Sequence, residues 1–303
     1  MDEKPLVTMC IFAYNAEKYI AETIRGALNQ TYDNLEIIIS DDCSPDNTYS
    51  IIKETVSDYR GKHRVIINKN ESNLGMIRHL NLLFGIAKGS IIATNPGDDI
   101  STPTRVSDTV SYFIDSSIQM VTFSRENIDK DGNAMGLLGV EKDVKYLIND
   151  NYLRSSSFMR GGTAVAFRKQ ILDTFGLLNE DAQTEDSTLR FRSLLMGSLL
   201  YSSKIGVKYR IHGGNMSIGA SQYKLKTKLI AKQYYKDLNT AIDNRLISQK
   251  LYNKLIKKIK YFCSIRNSNE KIENTVNSFK KLYYRLIRET ISVSYILKSY
   301  LCN

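Results

Sequence analysis

Four apolar runs, each ending in a polar break and each followed by apolar residues at helical spacing, decide most of what the first hundred residues can become. Leu6 to Tyr14 (LVTMCIFAY) is almost continuously apolar, as expected of a strand buried on both faces. Tyr19, Ile20, Ile24, Ala27 and Leu28 then recur at helical spacing, stopping near Thr31. Leu35–Ser40 (LEIIIS) is a second strand, and Asp46 or Asn47 can cap the helix that holds Ile51, Ile52 and Val56. Arg64–Asn68 is a third strand. Asn73-Leu74-Gly75 leads into a helix with Leu80, Leu83, Phe84 and Ile86, closed by Lys88-Gly89. The fourth strand opens at Ser90 and runs into Asn95-Pro96-Gly97-Asp98-Asp99. Strands and helices alternating through short connections predict an α/β fold with a parallel sheet and right-handed crossovers.

That topology puts Tyr14-Asn15-Ala16-Glu17, Asp41-Asp42 and Asp98-Asp99 on one sheet edge, outside the carboxyl ends of the strands, where open α/β sheets bind ligands. Adjacent carboxylates repel unless a cation or hydrogen-bond donors offset them. Hard divalent cations take such carboxylates together with substrate phosphates. Asp98-Asp99 also reads as the cap of a helix starting at Ser101-Thr102-Pro103, and the residues alone leave both readings open. No GxGxxG follows the first strand and no GxxxxGK[ST] occurs, which argues against a dinucleotide oxidoreductase and a P-loop NTPase.

Beyond Pro103 the pattern predicts a helix through Phe113, a strand at Gln119–Ser124 and a hairpin turn at Asp131-Gly132-Asn133. The stretch Tyr146–Phe158 is left unassigned. A strand enters through Gly161-Gly162, and a helix covers 168–175. Thr184 or Asp186 can cap a further helix with Leu189, Leu194 and Leu195 on its apolar side. Gly206–Ile211 is a short strand that ends in His212-Gly213-Gly214.

Charge divides the chain. Residues 1–220 carry 24 Lys/Arg against 27 Asp/Glu, whereas residues 221–303 carry 18 against 5. The second segment places Leu229, Ile230, Leu238, Ile242, Leu251, Leu255, Ile256 and Ile259 at helical spacing among its lysines. It reads as a solvated appendage packed on the body, a nucleic-acid binder, or an interfacial helix on an anionic membrane. The last fits best, because basic residues with interleaved Tyr, Leu and Ile suit a lipid surface. No nucleic-acid module accompanies the charge, so no nucleic acid is expected. The four cysteines form no CxxC pair and no zinc spacing, and no run is long enough to span a bilayer. The opening Met-Asp-Glu-Lys-Pro has no signal-peptide character. The expectation is a cytoplasmic protein, peripheral on the inner face of the cell membrane if the tail binds lipid.

In their order and spacing, Phe12-Ala13-Tyr14-Asn15-Ala16-Glu17, Asp41-Asp42-Cys43-Ser44-Pro45-Asp46-Asn47-Thr48, Asn73-Leu74-Gly75, Gly97-Asp98-Asp99 and Thr184-Glu185-Asp186 resemble the family-2 inverting glycosyltransferases of GT-A fold, and most of all the bacterial O-antigen and surface-polysaccharide type. The resemblance covers roughly residues 4–220. It implies a Rossmann-like, mostly parallel sheet flanked by helices. Ala13, Tyr14 and Glu17 would line the base and ribose, Asp42 would hydrogen-bond a uracil, and Asp98 would contact the ribose or help hold a cation. Asp99 would ligate Mn²⁺ or Mg²⁺ on the diphosphate, with His212 close by. Asp186 would be the general base, with Glu185 as the alternative. Pro96 stands where the family's commoner D-x-D-D form has its first Asp, so only two acids remain. The QxxRW signature of processive synthases is missing.

The sequence therefore predicts a catalytic domain over 1–220, its nucleotide-sugar half about 1–101 and its acceptor half about 102–220, followed by a basic helical extension over 221–303. The predicted activity is non-processive, metal-dependent inverting transfer of a sugar from a nucleotide-sugar, a UDP-sugar in the first instance, to a glycan or lipid-linked acceptor in O-antigen or lipopolysaccharide assembly. The alternatives are a sugar nucleotidyltransferase and a basic, non-catalytic membrane- or nucleic-acid-binding protein.

Overall fold

The first three crossovers follow the apolar pattern directly. Strands β1 (Val7–Ala13), β2 (Leu35–Asp41), β3 (Arg64–Lys69) and β4 (Ile91–Pro96) pair in parallel in the order β3-β2-β1-β4. Helices α1 (Ile20–Leu28), α2 (Thr48–Ser57) and α3 (Met76–Ile86) form the connections. Ile37, Ile38 and Ile39 are all fully buried, because helices cover both faces of β2. The structure, a computed structural model, describes residues 4–149, 152–153, 163–180, 185–214, 227–273, 285–289 and 291–292. Gly161-Gly162 and Thr184 lie outside the described residues.

From here the sheet becomes mixed. Strand β5 (Ile100–Ser101) and helix α4 (Arg105–Tyr112) follow β4, so the helix expected at Ser101 begins four residues later. The Asp98-Asp99 pair is therefore not its cap. Strand β6 (Ile118–Ile128) outruns the predicted Gln119–Ser124 and turns at Asp129–Asn133 into β7 (Ala134–Leu138), the expected hairpin. Next come β8 (Val144–Tyr146), β9 (Thr163–Arg168), α5 (Gln170–Phe175), α6 (Glu185–Met196) and β10 (Ser198–Arg210). The sheet order is β3-β2-β1-β4-β9-β6-β10-β5. β9 runs antiparallel between β4 and β6, and β10 is parallel to β6. β4, β6 and β10 thus end on the same edge as β1 and β2.

β10 is twice as long as the Gly206–Ile211 expected. Its polar SLLYSSKIGVKYR composition and two register shifts past Ser202 conceal the strand from an apolar-run criterion. Those shifts matter, because its last residues leave the regular ladder, pair with β5 and reach the Asp98-Asp99 turn.

Two helices of the basic segment, α7 (Thr227–Asp243) and α8 (Gln249–Glu273), pack against the body. Ile230, Ala231, Tyr234, Leu238, Leu255 and Ile259 lie in one core with Phe84, Phe167, Phe191 and Leu195. A fully buried pair joins α6 to α7, since Arg192 donates from Nε to Asp237 Oδ2 at 2.9 Å and from Nη2 to Oδ1 at 3.0 Å. Asn179 N–H donates to Gln233 Oε1, and the buried Lys258 Nζ donates to the Tyr152 carbonyl. The apolar residues that suggested a lipid-facing helix are thus largely spent on the core.

Candidate active site

Two loops at the ends of β1 and β2 are stitched together by short polar side chains. Asn15 N–H donates to Ser44 Oγ, Ala16 N–H to Thr48 Oγ1 and Glu17 N–H to Asp46 Oδ2. Glu17 Oε2 in turn accepts from both the backbone and the side-chain amide of Asn47 at 3.1 Å. Asp46 also accepts the Thr48 N–H at 3.0 Å, so it, and not the Asn47 side chain, caps α2. Asn15 and Cys43 hold positive φ values of 53° and 58°, sharp corners that bring the two loops together. Ala13 is buried at the end of its strand, and Tyr14 keeps 49% of its surface exposed at the lip. Glu17 acts here as a staple between the loops.

Asp42 is 3% exposed. Its Oδ1 accepts from Asn70 Nδ2 at 2.8 Å and Leu74 N–H at 2.9 Å, and its Oδ2 accepts from Gly75 N–H at 2.9 Å. The carboxylate therefore fixes the Asn73-Leu74-Gly75 turn, where Gly75 has φ 78° and starts α3. Arg78, one turn on, is exposed and paired with Glu180.

The Asp98-Asp99 turn is built from below. A Cβ on Gly97 would stand 2.9 Å from Ala13 Cβ, so only glycine lets the turn lie against the end of β1. Asn95 Nδ2 donates to the Pro96 and Asp99 carbonyls, while its Oδ1 accepts from Ser101 Oγ and Arg105 Nη1. Arg105 is fully buried beneath the turn, and burial pushes its guanidinium down to about 10.

The end of β10 closes the turn from the other side. Asp99 Oδ1 accepts the Arg210 N–H at 3.0 Å. Arg210 is 1% exposed; it donates from Nε to the Asp98 carbonyl and from Nη2 to Glu22 Oε2 at 2.6 Å, and lies over the Tyr19 ring. His212 Nδ1 accepts the Gly214 N–H, so the ring proton sits on Nε2 and is donated to Asp98 Oδ2 at 2.9 Å. Burial, and then the neighbouring Asp98 charge, push Asp99 up to about 8, against the opposing pull of the Arg210 N–H and the charges of Arg125 and Arg105.

Glu185 and Asp186 open α6. The helix ends at Met196 and β10 starts at Ser198, level with Ile118 at the start of β6. Twelve helical residues span ~18 Å, which carries the start of α6 back toward the carboxyl edge of the sheet. Asp186 Oδ2 pairs with the buried Arg190 at 3.0 Å, and its Oδ1 accepts the Ser187 N–H at 2.6 Å. Burial and the adjacent Asp186 charge push Glu185 up to about 7.

Among the described residues no three His, Cys, Asp or Glu side chains are grouped to hold a metal. No protein-only cage is thus built among the described residues. The buried Asp99 beside Asp98 is instead a two-carboxylate donor set of the kind that holds a divalent cation jointly with substrate phosphates. His212 fits that role less directly, because its Nε2 proton is engaged by Asp98. Sequence reasoning missed Asn95, Arg105 and Arg210, whose contribution is to hold the acid turn. Arg210, at the end of an otherwise strand-like GVKYRI, was the one visible signal.

Residues 8–176 match the family described as Glycosyl transferase family 2, more than half of the chain. The Escherichia coli protein described as UDP-Glc:alpha-D-GlcNAc-diphosphoundecaprenol beta-1,3-glucosyltransferase WfaP is 30% identical over 223 residues, covering 72% of this chain and 82% of its own. Among solved structures, S. aureus TarS 1–349 in complex with UDP-GlcNAc aligns with a TM-score of 0.60 at 15% identity, over 97% of this chain and 91% of that one. The mannosyltransferase PcManGT from Pyrobaculum calidifontis, in complex with GDP-Man and Mn²⁺, aligns with a TM-score of 0.58 at 16% identity, over 99% and 87%. At those identities the structures speak for the fold, while the family match speaks for the sequence. The chain belongs to glycosyltransferase family 2.

Proposed function

We propose that this glycosyltransferase transfers a sugar with inversion, one residue at a time, from a UDP-sugar to a lipid-linked glycan in bacterial surface-polysaccharide assembly. The observation that carries this reading is the meeting of Asp98 and Asp99 with Arg210 and His212 at the edge where Tyr14 and Asp42 also lie. Tyr14, exposed at the lip, offers an aromatic face to the base, and Asp42 supports the turn beside it. Asp98 and Asp99 would hold Mn²⁺ or Mg²⁺ together with the diphosphate. When bound, the cation offsets the charge that develops on the leaving diphosphate. Asp186, with 36% of its side chain open, accepts the proton of the acceptor hydroxyl. Arg190 fixes the orientation of Asp186. The lipid-linked acceptor is suggested by the diphosphoundecaprenol in the name of the E. coli relative. No described helix is long and apolar enough to cross a membrane. Exposed lysines such as Lys250, Lys257 and Lys260 would assist approach to a lipid-borne acceptor at an anionic surface.

Thermal shift against UDP, GDP, CDP and ADP, each with Mn²⁺ and with EDTA, tests the reading. The expected result is stabilisation by UDP that Mn²⁺ strengthens. Stabilisation by none of the four, or by all equally, would refute it.

A further inference from the structure

Arg125 and Asn127 lie on β6 beyond its pairing with β9, and alternation puts their side chains on the same side of the strand. Tyr209 of β10 stands opposite Asn127, and the Arg125 guanidinium lies 3.9 Å from the centroid of its ring. Arg125 Nε and Asn127 Oδ1 are both shielded from solvent, yet neither has a hydrogen-bond partner among the described residues. A buried donor and a buried acceptor left unpaired are costly and need a reason. Their place supplies one. The Arg125 charge acts on Asp99 and also on Tyr201. Tyr201 feels Arg190 as well, the partner of Asp186 at the start of α6. Arg125 thus lies within electrostatic reach of the acid turn and of Tyr201, which itself lies within reach of Arg190.

We propose that Arg125 and Asn127 read the hydroxyl groups of the transferred sugar, Arg125 donating to one hydroxyl oxygen and Asn127 accepting from a neighbouring hydroxyl. This rests on the donor reading above, in which the diphosphate lies at Asp98-Asp99 and the acceptor hydroxyl at Asp186, leaving the sugar between them. The pairing of one donor with one acceptor also selects the chemistry. A carboxylate or phosphate would satisfy Arg125 but offers no hydrogen to Asn127 Oδ1, whereas a pair of adjacent hydroxyls satisfies both. The sugar accordingly presents free adjacent hydroxyls at this point.

The test is calorimetric binding, in Mn²⁺, of UDP, UDP-glucose, UDP-galactose, UDP-N-acetylglucosamine and UDP-glucuronic acid to the full chain and to Asn127→Leu and Arg125→Lys. The expected result is unchanged UDP affinity in Asn127→Leu, with the favoured UDP-sugar weakened about tenfold or more in both variants, as for loss of a hydrogen bond to a buried group. The preference among the UDP-sugars should flatten. An unchanged sugar ranking in both variants overturns the proposal, as does an equal loss for UDP and UDP-sugar. Asn127→Leu is close to isosteric, so it carries the test if Arg125→Lys does not fold. If the wild type binds no UDP at all, the donor reading falls and takes this one with it. A wild type that ranks the sugars beside variants that rank them identically removes this proposal alone.

Discussion

Replacing either member of the Arg192–Asp237 pair should have unequal consequences, and the inequality follows from what each partner can do when left alone. Both side chains are fully buried, with two nearly parallel hydrogen bonds of 2.9 and 3.0 Å between them. In Asp237→Leu the guanidinium keeps the Gly176 carbonyl at 2.7 Å and the Leu177 carbonyl at 3.4 Å, but it loses its counter-charge and cannot give up its proton. Stranding a buried charge in this way costs about 3–5 kcal/mol. In Arg192→Met the carboxylate has an escape, because burial already pushes Asp237 up and removing Arg192 takes away the strongest opposing pull. It takes a proton, keeps the Gln233 Nε2 hydrogen bond, and the loss should stop at about 1–3 kcal/mol, the cost of an unmade buried hydrogen bond. That loss depends on pH with a definite sign. Above about pH 4 the unfolded chain has released the Asp237 proton while the folded variant retains it, so Arg192→Met loses stability as pH rises until the folded pKa is passed. The double variant Arg192→Met/Asp237→Leu places two apolar side chains against Phe175 and the α7 core, and should recover at least about 2 kcal/mol relative to the sum of the single changes. Urea unfolding followed by circular dichroism at pH 5, 7 and 8.5 measures all of this. Equal losses in the two single variants, or losses that simply add in the double one, would refute the reasoning. Either outcome would also mean that α7 is held to the body by something other than this pair.

Two further predictions concern the acid clusters. Asp99→Asn should leave the fold intact and abolish the Mn²⁺-dependent part of UDP affinity. In the wild type, Mn²⁺ affinity measured with UDP by calorimetry should rise about tenfold per pH unit from pH 6 toward 8, because the proton held at about 8 must leave first; affinity flat across that range removes Asp99 from the cation site. Asp186→Asn should keep donor binding and lower turnover by about 10²-fold or more, while Glu185→Gln should cost less and shift the acid limb of the pH–rate profile downward. A larger loss of turnover in Glu185→Gln than in Asp186→Asn would transfer the base to Glu185.

The half of the fold that could be read from sequence is the half in which each strand is covered on both faces. β1, β2 and β4 are largely apolar because almost nothing on them meets water, and the helices between them are short enough to permit one topology. β10 escaped because its 13 residues serve three neighbours in succession: β8 at its start, β6 along its length and β5 near its end. Each neighbour asks for a different pattern, and bulges break the alternation. The strand-end acids were legible in the sequence, although it did not show that Glu17 and Asp42 would be taken up in fixing loops. The buried arginines were not, since Arg105, Arg192 and Arg210 belong to a residue type that normally stays at the surface. Their burial becomes intelligible only when the carbonyls and carboxylates they satisfy are known. The basic segment misled for a related reason. Apolar residues at helical spacing among lysines look the same whether the apolar side meets lipid or the remainder of the protein, and here Ile230, Leu238 and Leu255 meet the protein.

Asp99 is held by a backbone N–H from the far end of β10, a strand separated from β4 in the sheet by β9 and β6. The link exists because the chain leaves β4 through the Gly97 turn and crosses to β10 as β5, only two residues long. A carboxylate with a raised pKa therefore depends on a hydrogen bond 111 residues away in sequence. The side chain of that same residue reaches Glu22 on α1 and the carbonyls of Asp129 and Lys130 at the root of the β6–β7 hairpin. Four segments consequently converge on Arg210: the acid turn, the first turn of α1, the hairpin and β10 itself. A buried guanidinium has five donors to satisfy and no way to neutralise itself, so those acceptors must stay where they are if Arg210 is to remain inside. The acid turn is held in place by the same requirement, which explains how two adjacent carboxylates can be kept in a partly apolar position before any cation or diphosphate arrives. The β6 strand that carries Arg125 and Asn127 runs into that hairpin root, so the side chains assigned to the sugar and the carboxylates assigned to the diphosphate are positioned by one framework.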